Sequence, residues 1–102
     1  MSMDIKVSES EKSIYIEVTG EIDAYTTPQV KEKVSPLLED FSGEITFDLT
    51  NVTYMDSTGL GMFVGFFKKV KSHNGTFKLE GLSDRLKRLF DITGLASIME
   101  IK

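Results

Sequence analysis

A chain of 102 residues, 40% apolar and 27% charged, is sized for one globular domain, expected over 1–102; the composition excludes a disordered or collagen-like polypeptide. Sixteen acidic residues against 12 basic ones leave a net charge of −4, whose field repels phosphate backbones and argues against nucleic-acid binding. With no cysteine and one histidine, disulfides, thiolate metal sites and thiol catalysis are excluded, and little acid–base chemistry is left near neutral pH.

The first half alternates apolar and polar residues. Ile5 and Val7 share one face of a short strand, and Glu9 to Lys12 form a polar hairpin turn. Ile14, Ile16 and Val18 mark a second strand that ends at Gly20. Thr27 is then expected to cap a first helix, with Pro28 at its first position, and Val30, Val34, Leu37 and Leu38 repeat at helical spacing. Pro36 falls inside that stretch and is expected to kink it or end its regular part. Ile45, Phe47 and Leu49 give a third strand. A second helix is expected from Ser57 to about Ser72, before the turn Asn74-Gly75. Phe77 and Leu79 mark a fourth strand. Ser83 caps a third helix that buries Leu86, Leu89 and Phe90 and stops at Gly94, with Leu95 folding back on Phe90. Ile98 to Ile101 make a short last strand.

The expected order is β-β-α-β-α-β-α-β, an α/β fold. The opening hairpin is antiparallel, and the later βα units imply parallel pairing through right-handed crossovers. Strands buried on both faces read as near-continuous apolar runs, whereas these alternate. A small mixed sheet of four to five strands follows, with helices packed mainly on one face and the other face open to water. The longest apolar run, Leu60 to Phe67, holds eight residues broken by Gly61 and Gly65, far short of the roughly 20 that span a bilayer. No signal peptide is visible at the start, so the chain is read as cytoplasmic, without a membrane partner.

The segment Tyr54-Met55-Asp56-Ser57-Thr58-Gly59-Leu60-Gly61 joins the third strand to the second helix. This run resembles the signature of STAS domains, in particular the bacterial anti-sigma factor antagonists. Gly20-Glu21-Ile22-Asp23 is similar to that family's second landmark, and Leu89-Phe90-Asp91-Ile92-Thr93-Gly94-Leu95 to a third. The landmarks span positions 20 to 95, and the likeness is to the sigma-B-type antagonists. The resemblance implies a non-enzymatic partner switch. A protein that is both anti-sigma factor and serine kinase phosphorylates the serine after the aspartate, here Ser57. The unphosphorylated antagonist binds that partner and frees the sigma factor; phosphorylation blocks binding, and a serine phosphatase of the PP2C type restores it. Thr58 stands where the family takes Ser or Thr. The contact surface implied is Asp23, Thr26 and Thr27 with Asp56, Ser57, Thr58, Gly59, Leu60, Gly61 and Met62. ATP belongs to the kinase, so no cofactor is expected in this chain.

The residue chemistry adds three expectations. Ser57 is placed as the N-cap of the second helix, where the dipole tolerates a phosphate carrying about −1.5 to −2 charge. Asp23 and Asp56 are expected on one rim of the sheet. At about 100° per residue, Leu60, Phe63, Val64, Phe67 and Val70 face the core. Met62 falls opposite, beside Gly65, either as an outward partner patch or as part of a wide core stripe.

Rival chemistry fits less well. A hydrolase elbow wants glycine two residues before the serine, where Met55 stands, and His73 lies roughly 24 Å along the same helix. A small phosphate- or nucleotide-binding signalling domain is the alternative function, since Gly59 and Gly61 open a helix; the P-loop glycine and lysine would fall on Val64 and Gly65. A receiver-like domain phosphorylated on Asp56 would lack the opening hairpin. Gly61 and Gly65 are read as a site of close helix packing. Asp23 and Asp56 lack further ligands, so no metal is assigned. The run Asp84-Arg85-Leu86-Lys87-Arg88 is read as a solvated helix face whose basic side can meet an acidic partner.

Overall fold

Alternation divides the sheet into two chemically different faces. The computed structural model describes residues 3–102 and contains β1 (Asp4–Glu9), β2 (Ser13–Ile22), α1 (Thr27–Leu38), β3 (Glu44–Met55), α2 (Ser57–Ser72), β4 (Thr76–Glu80), α3 (Asp84–Ile92) and β5 (Glu100–Ile101). A 3-10 turn, Leu95–Ser97, precedes β5. The strands lie in the order β1-β2-β3-β4-β5, with β1 antiparallel to β2 and every other neighbouring pair parallel. The expected element order and the mixed five-stranded sheet are therefore present.

Ile14, Ile16, Val18, Ile45, Phe47, Leu49, Phe77 and Leu79 project to one face and form a single core with Val30, Val34 and Leu38 of α1, Phe63 and Phe66 of α2, and Leu86 and Phe90 of α3. Phe47 anchors α2 on the sheet: its ring meets Phe63 edge-on at 5.1 Å and stacks on Phe66 at 5.6 Å. Such aromatic pairs contribute about 0.5–1.5 kcal/mol beyond their buried area.

The opposite face is polar. Glu17, Asp48 and Glu80 are neighbours across β2, β3 and β4, a row of like charges that is unfavourable by itself. The Tyr15 hydroxyl lies 2.7 Å from Asp48 Oδ2 and 2.9 Å from Glu80 Oε2, and its one proton serves one carboxylate at a time. Those hydrogen bonds, to Asp48 first and then Glu80, push ionisation of the phenol far above its ordinary range. Burial acts to raise the Asp48 pKa, but hydrogen bonds from the Thr50 hydroxyl and N–H and from Tyr15 outweigh it and hold the carboxyl low. Lys78 lies between Glu44 (3.1 Å) and Glu100 (3.8 Å) on the same face.

Two strands run further than alternation suggests. β2 passes Gly20, the expected end, and reaches Ile22; Gly20 takes φ 114°, where the β2–β3 register shifts. A side chain rarely adopts that conformation, so glycine carries the irregularity. β3 continues beyond Leu49 to Met55, and Ile22 pairs with Met55. These extensions bring the two loops that follow β2 and β3 side by side. β5 is shorter than expected, because the Ile98 and Met99 N–H groups donate back to the Leu95 carbonyl at 3.1 and 3.0 Å, which keeps these two residues with the 3-10 turn. Pro36 lies inside α1 within its last turn, so the helix continues to Leu38.

Candidate functional site

The site is built where β2 and β3 leave the sheet together. Asp56 N–H donates to the Ile22 carbonyl at 3.3 Å, extending the strand pairing by one residue. α2 then begins at once. Gly59 is buried in its first turn, where a Cβ would stand 2.7 Å from Met55 Cγ and 2.8 Å from Ile22 Cγ2. Only glycine lets the helix start this close to the strand ends.

Ser57 does not cap α2, as the sequence reading expected; Asp56 does. The Asp56 carboxylate accepts from Thr58 N (3.0 Å) and Gly59 N (3.2 Å), while Leu60 N donates to the Asp56 carbonyl at 3.1 Å. Aspartate is a favoured cap, and its carboxylate suits the positive end of the helix. Ser57 is displaced to the first helical position. It is exposed, and among the described residues its hydroxyl enters no hydrogen bond.

The neighbouring loop binds up its polar groups instead. Asp23 Oδ1 accepts from Tyr25 N (2.9 Å) and Thr26 N (3.0 Å). The Thr26 hydroxyl donates to the Glu21 carbonyl at 2.7 Å and accepts from Asp23 N at 2.9 Å. Its single proton is thereby committed, so its 3.3 Å approach to Asp23 Oδ1 is a contact rather than a further bond. The N-cap of α1 is Thr26, not Thr27; Thr27 N–H is already bonded to the Asp23 carbonyl at 2.9 Å.

Of the residues singled out from sequence, Asp23 and Asp56 lie on adjoining loops and are partly exposed, and Ser57, Thr58 and Gly61 are exposed. Thr26, Thr27, Gly59, Leu60 and Met62 are buried and form the floor beneath them. Met62 is 3% exposed, which excludes the outward methionine patch. The buried stripe of α2 runs through Gly59, Leu60, Met62, Phe63, Phe66 and Val70, roughly 60° around from the expected one, while Val64 and Phe67 are only partly buried. α2 touches α1 as well as β3 and β4, so it buries two sides. Gly61 and Gly65 are not a close-packing site either: both are exposed, and a Cβ at either position would meet nothing within 4 Å.

Tyr25 was not singled out from the sequence. It is 88% exposed on the β2–α1 loop, one loop away from Ser57. No periodicity marks it, because it lies outside any strand or helix. His73 sits at the far end of α2, where Nδ1 is 3.1 Å from the Lys69 carbonyl, so it is not at the serine. Among the described residues no group of three metal-ligating side chains comes together, and no helix is long and apolar enough to cross a membrane.

Comparison with known proteins places the fold. The family model for the STAS domain matches residues 4–102. The anti-sigma-B factor antagonist of Bacillus subtilis (strain 168) is 50% identical over 99% of this chain and 92% of its own length. A solved anti-sigma factor antagonist from Mycobacterium paratuberculosis superposes with a TM-score of 0.86 at 24% identity, covering 98% of this chain and 85% of that one. The Bacillus cell fate determinant SpoIIAA, solved in the phosphorylated form, superposes with a TM-score of 0.77 at 20% identity, covering 97% and 91%.

Proposed function

This chain belongs to the STAS domain family, and on that premise we propose that it is an anti-sigma factor antagonist switched by phosphorylation of Ser57. The unphosphorylated protein binds an anti-sigma factor that is also a serine kinase, and the sigma factor is released. Phosphorylation of Ser57 blocks the binding, and a serine phosphatase of the PP2C type restores it. The 50%-identical Bacillus subtilis relative carries the name of such an antagonist, and SpoIIAA has been solved phosphorylated.

One observation carries the reading: Ser57 is exposed and, among the described residues, its hydroxyl is unbonded because Asp56 takes the cap. A kinase can reach it without opening the fold. A phosphate at the first turn of α2 meets the positive end of the helix dipole, so the helix tolerates it. The same phosphate adds about −1.5 to −2 charge beside Asp56, on a surface a partner must cover. It therefore acts at the interface, by charge and bulk. Ser57, Thr58, Gly61 and Tyr25 make direct contact, with Asp23 and Asp56 at the edge. Thr26, Thr27, Gly59, Leu60 and Met62 hold that surface in place from below. The chain lies in the cytoplasm with its partners and performs no catalysis of its own.

The test is to incubate the protein with ATP, Mg²⁺ and the anti-sigma-B factor of Bacillus subtilis, then locate the phosphate by mass spectrometry. Ser57→Ala is expected to abolish labelling and keep binding, and Ser57→Asp to weaken binding. Labelling that persists in Ser57→Ala and disappears in Thr58→Ala would move the switch to Thr58.

A further inference from the structure

A second surface adjoins the switch. The last residues of β3, Tyr54 and Met55, and the flank of α3 that carries Leu86, Leu89 and Ile92 enclose a groove of about 280 Å³, lined mainly by apolar atoms. Tyr54 is 44% exposed and Ile92 76% exposed, both large apolar side chains presented to water. Arg85 and Arg88 also line the groove. Although Asp84 and Asp91 share their helix, neither guanidinium enters an ion pair among the described residues. Two unpaired arginines beside an apolar groove are a marked local feature in a chain of net charge −4. The fold itself gives no reason for Ile92 to be apolar, since most of its surface remains in water.

We propose that this groove is a second docking site for the anti-sigma partner, and that it takes an acidic segment bearing an apolar side chain. The inference rests on the antagonist reading and extends its contact surface from α2 to α3. Two features select this occupant. The groove wall is continuous with the switch: Tyr54 and Met55 lead directly into Asp56 and Ser57, so a protein covering Ser57 extends over it. The charge is complementary, because carboxylates of the incoming segment would pair with guanidinium groups that lack partners, in the fork geometry that favours arginine. The apolar side chain fills the space beside Ile92 and Leu89, a small hydrophobic centre ringed by charge, as binding hot spots are built.

The experiment measures binding of the purified chain to the anti-sigma-B factor of Bacillus subtilis by calorimetry. It compares the wild type with Ile92→Ser, the double variant Arg85→Glu/Arg88→Glu, and Ser57→Asp as the switch control. All the groove substitutions are at exposed positions, and circular dichroism verifies the fold. Affinity is expected to fall at least tenfold in Ile92→Ser and in the double variant, with the salt dependence of binding reduced in the latter. Wild-type affinity in both groove variants, with binding lost in Ser57→Asp, overturns the groove and leaves the switch standing. No binding by the wild type overturns the antagonist reading and the groove together. A dimer of the free chain that Ile92→Ser abolishes would assign the groove to a second copy and also overturn the proposal.

Discussion

Two adjacent loops, each led by an aspartate at the end of a parallel strand, treat their hydroxyls in opposite ways. After β2, Asp23 turns the chain and the Thr26 hydroxyl is buried between the Glu21 carbonyl and the Asp23 N–H. After β3, Asp56 satisfies the Thr58 and Gly59 amides in the first turn of α2, and the exposed Ser57 hydroxyl has no partner among the described residues. One loop uses its hydroxyl to hold structure; the other leaves it free to be modified. A serine that also served as cap would tie any phosphate it carried to the first amides of the helix, because the phosphate oxygens would accept from them in place of the hydroxyl. With the cap on Asp56, a group added to Ser57 would leave the capping hydrogen bonds of α2 in place.

Breaking the structural loop gives the largest effect. Thr26→Val keeps the shape but leaves one buried carbonyl and one N–H unsatisfied, at about 2 kcal/mol or more. For a chain of this size that lowers Tm by roughly 10 °C, read by calorimetry. Asp56→Ala is expected to cost about 1 kcal/mol through the lost cap, and urea denaturation of Asp56→Asn, which can cap as well, is expected to recover most of it. Gly65→Ala is expected to change stability in the other direction, by a gain of about 0.5–1 kcal/mol, since its Cβ enters open space and alanine favours helix. Ser57→Ala comes last, within about 0.5 kcal/mol of the wild type. A loss near 1 kcal/mol there would show the serine bonded after all and would erase the contrast between the loops.

Much of the fold was legible because its signals are local. Alternation in β2, β3 and β4 assigned inward and outward residues correctly, and Gly94, at φ 78°, ends α3 as expected. The misread positions on α2 share one physical cause. α2 is apolar around most of its circumference, so periodicity permits more than one centre for its buried stripe. Contact with α1 as well as the sheet decided that Met62 and Phe66 go in and Gly61 and Gly65 stay out. Asp56 and Ser57 are both good caps by composition, and only the start of the helix selects between them. Tyr25 and the groove at Ile92 had no periodic signature, because exposure of a loop residue or of one side of a helix is set by what packs nearby.

By itself the sequence determined the element order and the polar and apolar faces of the sheet, and it singled out the segment from Tyr54 to Gly61 as the candidate site. These follow from residue periodicity and from motifs read within a few positions. Tertiary structure alone decided which hydroxyl is free. That choice depends on Ile22 pairing with Met55 across 33 residues of chain, which fixes where α2 begins and gives its cap to Asp56.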